Sequence, residues 1–185
     1  MARDTIGFVP RVLIIVMLPV VFGTGCSAVP DSYPPPPQRQ LLPTPSAAAL
    51  SYFLSMSNPN ADAYIVQGFG RDTEGTGYRW AYEHPVLRFL VPRMDHPKLV
   101  MDFALPERIF RITGPVTLTI SLNRKYLDRS TCMRPGQLHY EHEVPPERVD
   151  WDAINLVSID PDKVWTSPAD GTRLGFVVSR VGFVE

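Results

Sequence analysis

Val116-Thr117-Leu118-Thr119-Ile120-Ser121-Leu122 is the stretch that decides the fold. Successive side chains of an extended strand point to opposite faces, so this alternation collects Val116, Leu118, Ile120 and Leu122 on one side and the hydroxyls on the other. A helix would scatter the same residues around its circumference. The segment reads as a strand with one buried and one wetted face. It runs into Leu122-Asn123-Arg124-Lys125, a tight turn in which Asn123 tolerates a left-handed backbone.

Outward from this strand, short runs rich in Val, Ile, Leu, Phe, Tyr and Thr recur between clusters of Gly, Pro and Asp. They cover 64–69, 78–82, 86–90, 98–104, 137–144, 155–159 and 173–183. The last run carries Leu174, Phe176, Val178, Val181 and Phe183, and its apolar phase changes between Val178 and Val181. A bulge near Ser179 or Arg180 is expected, in a strand near the centre of its sheet. Residues 46–56 suggest a short helix or an ordered lead-in. Residues 145–152 suggest a second short helix, with Pro146 and Glu147 suited to its first turn. The expected fold is all-β: a two-sheet antiparallel sandwich, jelly-roll-like, with one or two short helices, over 61–185. No long amphipathic helices alternate with the strands and no Gly-rich phosphate loop follows one, which excludes a dinucleotide-binding α/β fold.

Composition narrows the function classes. The chain has 185 residues, 18 basic and 19 acidic, with formal charge −1, so it lacks the basic excess of a nucleic-acid binder. Its 2 cysteines cannot build a disulfide scaffold or a four-cysteine zinc site. Cys132 lies near Arg129 and Arg134 but in no nucleophile motif, and reads as structural. There is no G-x-S-x-G elbow, and no Ser–His–Asp order stands out.

The N-terminal 25 residues read as an export signal. Arg3 and Arg11 mark a short basic region, and Val12 to Phe22 is an apolar run broken only by Pro19, a length suited to a signal core and too short to span a bilayer. Gly23-Thr24-Gly25-Cys26 then resembles the lipobox of bacterial lipoproteins. That resemblance implies cleavage before Cys26, acylation of its thiol, and a chain held at the cell envelope, outside the cytoplasm. Ser27 after the cysteine is similar to the outer-membrane address used where the source has two membranes. A plain secretory signal with an incidental Cys26 is the other reading. An uncleaved anchor is disfavoured because Pro10, Arg11 and Pro19 crowd the segment. Residues 26–60 then form the lipidated cysteine, a tether and a lead-in. Seven prolines between Ser27 and Pro45, four of them consecutive from Pro34, keep that stretch extended and without a core.

Gly68-Phe69-Gly70, Glu74, Tyr78-Arg79-Trp80, Pro115-Val116-Thr117-Leu118, Trp165 and the closing Asp170-Gly171-Thr172-Arg173-Leu174-Gly175-Phe176 follow one another in an order with a family parallel. This order resembles the small β-sandwich modules that accompany bacterial glycosyltransferases and other envelope proteins, which are themselves similar to carbohydrate-binding jelly rolls. The resemblance implies a non-catalytic binding module.

Tyr78, Trp80 and Trp165 are the aromatics suited to a sugar platform, because an indole face packs against the apolar C–H face of a pyranose. Glu74, Arg79, Asp170 and Arg173 are the neighbouring groups able to bond hydroxyls. The loops 70–77 and 160–171 are expected at one end of the sandwich, forming a shallow polar cleft walled by Trp165. Equally, Trp80 with Tyr78 and Tyr82 at two-residue spacing reads as one face of the core, with Glu74 and Arg79 a structural ion pair. His139-Tyr140-Glu141-His142-Glu143 is the one metal-like cluster. On a strand it puts His139, Glu141 and Glu143 on one face and His142 on the other, so it reads as a charged surface strand. Asp62, Asp72 and Asp160 lack an EF-hand-like spacing for calcium. No cofactor or metal is expected.

Three function classes remain. A lipid-anchored saccharide-binding module would expose Trp80 or Trp165 beside polar groups. A structural or assembly lipoprotein with a protein partner would bury both and show an apolar patch or an open sheet edge. A small hydrolase would converge two carboxylates in a cleft.

Overall fold

Strict alternation between two faces requires a second layer to cover the apolar one, and the computed structural model, which describes residues 50–71 and 76–185, supplies it. The strands are β1 (Phe53–Ser55), β2 (Ile65–Phe69), β3 (Arg79–Val91), β4 (Lys98–Leu105), β5 (Val116–Leu122), β6 (Lys125–Cys132), β7 (Gly136–Glu143), β8 (Ala153–Pro161), β9 (Trp165–Thr166), β10 (Arg173–Leu174) and β11 (Phe176–Val184). One α-helix, α1, covers Glu107–Thr113, and single 3-10 turns cover Ala61–Ala63 and Pro146–Arg148. In β5 the apolar face is buried throughout while Thr117, Thr119 and Ser121 stay partly exposed. Strand β4 repeats the pattern with Leu99, Met101, Phe103 and Leu105 inward.

The hydrogen-bonded path runs β6-β5-β8-β3-β11-β4-β7, with β1 added to β11 and β2 to β3. Its two ends meet. Tyr140 Oη of β7 donates to Asp128 Oδ2 of β6 at 3.1 Å, and His142 Nδ1 lies 3.3 Å from the same oxygen. A path whose ends touch is a sheet folded over on itself, which is the expected sandwich. Phe89 of β3 and Phe183 of β11 pack edge to face in its core, 5.9 Å between ring centroids.

The fold-over happens in β3. Residues Arg79–Ala81 pair with β11, whereas Val86–Val91 pair with β8. Pro85, which has no N–H to donate, sits between these two pairings. On the other flank Gly68 of β2 passes against the chain at this point. A Cβ on Gly68 would lie 2.3 Å from the His84 carbonyl oxygen, and its φ of +76° is one that side chains disfavour. Sequence reading separates 78–82 from 86–90. The structure joins them in one 13-residue strand, because β2 supports the chain across the Pro85 step.

Other expectations are met or corrected locally. Asn123 (φ 51°) and Arg124 (φ 65°) form the two-residue hairpin turn between β5 and β6. Ser179 is the bulge in β11, where register shifts between Val178 and Arg180, and β11 is central and mostly buried. Strand β6 was hidden by its charged composition. Helix α1 lies in a stretch that the sequence pattern leaves unassigned, started after Pro106, supported by a Glu107–Arg111 pair at 2.6 Å and ended at Gly114. Of the two readings of 46–56, the described part fits an ordered lead-in and not a helix: Leu54 lies in β1, paired to Val181, and Leu50, Leu54 and Met56 join the core. The compact domain therefore includes residues assigned to the lead-in by sequence.

Gly68→Ala should destabilise the domain by about 3 kcal/mol or more, since the added methyl meets backbone rather than a movable side chain. Chemical denaturation of the purified variant measures this.

Candidate functional site

Arg79 and Ala81 of β3 face the core, so Trp80 between them faces outward. Cross-strand register then aligns one row of outward residues: Trp80 opposite Val177, Val177 opposite Ala104, and Ala104 opposite Gln137. Four adjacent strands at the usual spacing make this row roughly 14 Å long. The row floors a groove of about 400 Å³ lined on one side by Thr76, Gly77, Tyr78 and Ser179 and on the other by Pro106. Tyr78 is 44% exposed, whereas Trp80 is half-buried and, like Trp165, packs in part against the core. The small side chain of Ala104 keeps the floor low between the indole and the Gln137 amide. Gly70 hydrogen-bonds its N–H to the Trp80 carbonyl at 2.9 Å, and a Cβ there would come within 2.9 Å of the Tyr82 hydroxyl. The Gly68-Phe69-Gly70 and Tyr78-Arg79-Trp80 motifs are thus neighbours in space.

A second hollow, of about 580 Å³, shares Gln137 and Ser179 with the first and continues it along β4, β7 and β11. Its floor is charged. Asp102 takes His139 Nδ1 on one oxygen at 2.7 Å and Arg180 Nη2 on the other at 2.6 Å. The hydrogen bond to His139, aided by Arg180, holds the Asp102 carboxyl below the usual carboxylate range. The reciprocal bond to Asp102 holds the His139 imidazole above its ordinary value. Beyond it, Glu141 accepts from Lys98 Nζ at 2.9 Å, which lowers the acid and raises the amine. The Ser179 hydroxyl donates to the Asp102 carbonyl at 3.0 Å.

The remaining expected site residues lie elsewhere. Glu74 and Cys26 fall outside the described residues, as does Asp72. Arg79 is only 8% exposed and its guanidinium pairs with Asp62. Trp165 sits in β9, partly buried against the core, with the Arg108 guanidinium 4.9 Å over its ring. Asp170 caps its own turn by accepting the Thr172 N–H at 3.1 Å, and bonding to Thr172 lowers its carboxyl. Arg173 in β10 pairs with Glu83 at 2.7 Å. Trp165, Asp170 and Arg173 thus share the β9–β10 hairpin and do not line the Trp80 groove. His139 and Glu141 face outward and His142 inward, as strand parity predicts. Asp160 is bonded to His84 at 3.0 Å. Burial pushes the Cys132 thiol up to about 11, the setting of an inert cysteine. Among the described residues no group of three or more His, Cys, Asp or Glu is arranged to hold a metal ion.

Sequence reading missed Ala104, Gln137, Val177 and Ser179. None is conspicuous in its own segment, and only the register of β3, β11, β4 and β7 brings them together. The bulge signal at Ser179 was the single hint.

No family model matches the chain, and no curated protein matches it in sequence. Solved structures with a similar outline include a 4-O-methyl-α-glucuronidase with specificity for decorated arabinogalactans (13% identity, 75% of this chain and 17% of that one, TM-score 0.42). Others are a cycloisomaltooligosaccharide glucanotransferase from Paenibacillus sp. (9%, 72% and 18%, TM-score 0.41) and a family 35 carbohydrate binding module from an environmental isolate (10%, 66% and 91%, TM-score 0.41). The chain spans less than a fifth of the length of the first two.

The charged cluster makes stability depend on pH in a defined direction. His139, raised in the folded state, contributes fully below the ordinary imidazole value of about 6.5, and this contribution is lost as pH rises through its raised value. Asp102, lowered in the folded state, contributes above the ordinary value of about 3.9 and is lost as pH falls. Melting temperature should therefore be highest between about pH 4 and about 6.5 and decline gently above, and His139→Gln should flatten that alkaline decline. Thermal denaturation of both proteins across this range is the check.

Proposed function

We propose that this chain is a non-catalytic saccharide-binding module whose platform is the Trp80–Tyr78 groove, carried on a lipid-anchored envelope lipoprotein. The observation that carries the reading is the registered row Trp80–Val177–Ala104–Gln137. It combines a half-buried indole, a low apolar floor and an amide within one shallow channel. An indole offers a flat apolar face to a pyranose ring, and the Gln137 amide and Tyr78 hydroxyl supply directional hydrogen bonds at the rim. The channel is longer than one sugar ring, which suits a short oligosaccharide stretch better than a buried monosaccharide. Among the described residues the groove lining carries no carboxylate, and the adjoining Asp102 is engaged with His139 and Arg180, which favours binding over a carboxylate-pair chemistry. A protein-binding role has one observation in its favour, the exposed Val66 and Ile154 on the opposite layer. The anchoring part of the proposal rests on the Gly25-Cys26 junction and its apolar run.

Trp80→Ala should weaken oligosaccharide binding at least tenfold while leaving the domain folded. Trp165→Ala should do the reverse, costing roughly 1–3 kcal/mol of stability through lost packing and the Arg108 contact, with binding intact. Affinity electrophoresis against a polysaccharide panel, paired with denaturation curves, separates these outcomes. Loss of binding in Trp165→Ala alone would move the platform to the β9–β10 hairpin.

For the anchor, mass spectrometry of the membrane fraction should find acylated Cys26 as the mature N-terminus. Recovery of unlipidated protein beginning elsewhere would reject it.

A further inference from the structure

The groove does not end at Gln137. Past the shared wall of Gln137 and Ser179 lies the charged hollow, whose lining holds Arg134, His139 and Arg180 with Asp102, and Glu141 lies 3.7 Å from the outer nitrogen of His139. The chain as a whole carries formal charge −1, so this is a local reversal of sign. The three cations also differ in what they are free to do. Arg180 and His139 are held by the two oxygens of Asp102, which fixes their positions across β11, β4 and β7. Arg134, exposed at the turn between β6 and β7, makes no ion pair among the described residues. It lines the hollow, and a guanidinium's planar fork of donors matches a carboxylate through two parallel hydrogen bonds.

We infer that the groove recognises an acidic saccharide, with a neutral stretch of the chain seated on Trp80 and a uronate carboxylate taken by Arg134 beside His139 and Arg180. The inference rests on the saccharide-binding reading above and adds the ligand class. A fully neutral glycan would leave Arg134 without a partner and would gain nothing from the cationic end. A compact anion such as inorganic phosphate would use the cations but leave the indole idle. The two hollows in continuity call for one ligand that is apolar-faced at one end and anionic at the other. His139 adds to this in its protonated form, which its bond to Asp102 favours.

The test uses the full chain and a set of oligouronates (galacturonate, mannuronate and glucuronate-bearing fragments), each beside its methyl ester, which keeps the ring and removes the charge. At least one acid should bind ten or more times more tightly than its own ester, and added salt should erode that advantage. Arg134→Gln, at an exposed turn position, should abolish the preference without lowering the melting temperature, while Trp80→Ala should weaken acid and ester alike. Equal binding of acids and esters, or Trp80-dependent binding of neutral oligosaccharides only, overturns the acidic class and leaves the saccharide reading standing. If no saccharide of either kind binds, both readings fall together. A preference for acids that persists in Arg134→Gln overturns the assignment of Arg134.

Discussion

The contact between Gly68 and the His84–Pro85 backbone is the constraint on which the rest depends. A strand can serve two layers of a sandwich only if it changes hydrogen-bonding partners partway, and β3 does so where Pro85 has no N–H to leave unpaired. The β2 chain must follow it closely there, at a distance that admits hydrogen but not a methyl group. The odd-numbered residues face inward on both sides of this step, Arg79 and Ala81 before it and Leu87 and Phe89 after it, which leaves Trp80 outward beside β11. The close approach lets one strand serve both layers while that parity is kept.

A second irregularity shapes the groove itself. In β11, Val178 pairs with Phe103 and Arg180 with the next residue, Asp102, so Ser179 is left over. Its hydroxyl donates to the Asp102 carbonyl, and its own carbonyl accepts the Met56 N–H at 2.8 Å. The extra residue changes which side chains face out. Before the bulge the outward residue is Val177, part of the apolar floor, and after it the outward residue is Arg180, part of the cationic end. Bulges commonly re-aim side chains beside functional sites, and here one bulge divides a channel into an apolar half and a charged half.

Much of the scaffold was legible because it is written locally. The alternation in β5, the left-handed turn at Asn123, the bulge near Ser179 and the opposed directions of His139 and His142 all follow from period-two geometry and turn chemistry. Strand β6 was not, because an edge strand rich in charge and hydroxyls lacks the apolar signal. The orientation of Trp80 was ambiguous for a physical reason. A strand reading Tyr78-Arg79-Trp80-Ala81-Tyr82 would by hydrophobicity turn its aromatics inward, but Asp62 pairs with the guanidinium of Arg79 and allows that side chain to be the buried one. The choice depends on a partner 17 positions away. The site was least legible of all, since Gln137 and Ala104 matter only through register with strands remote in sequence.

The claim that the outer face of β3, β11, β4 and β7 is the binding surface is tested most directly by an amide chemical-shift titration of the isotopically labelled protein with the oligosaccharide it binds best. The account predicts that the perturbed amides cluster at Gly77, Tyr78, Trp80, Ala104, Gln137 and Ser179, with the Trp80 indole N–H among the largest shifts. Perturbations confined to the β9–β10 hairpin around Trp165, or to the opposite layer at Val66 and Ile154, would contradict it.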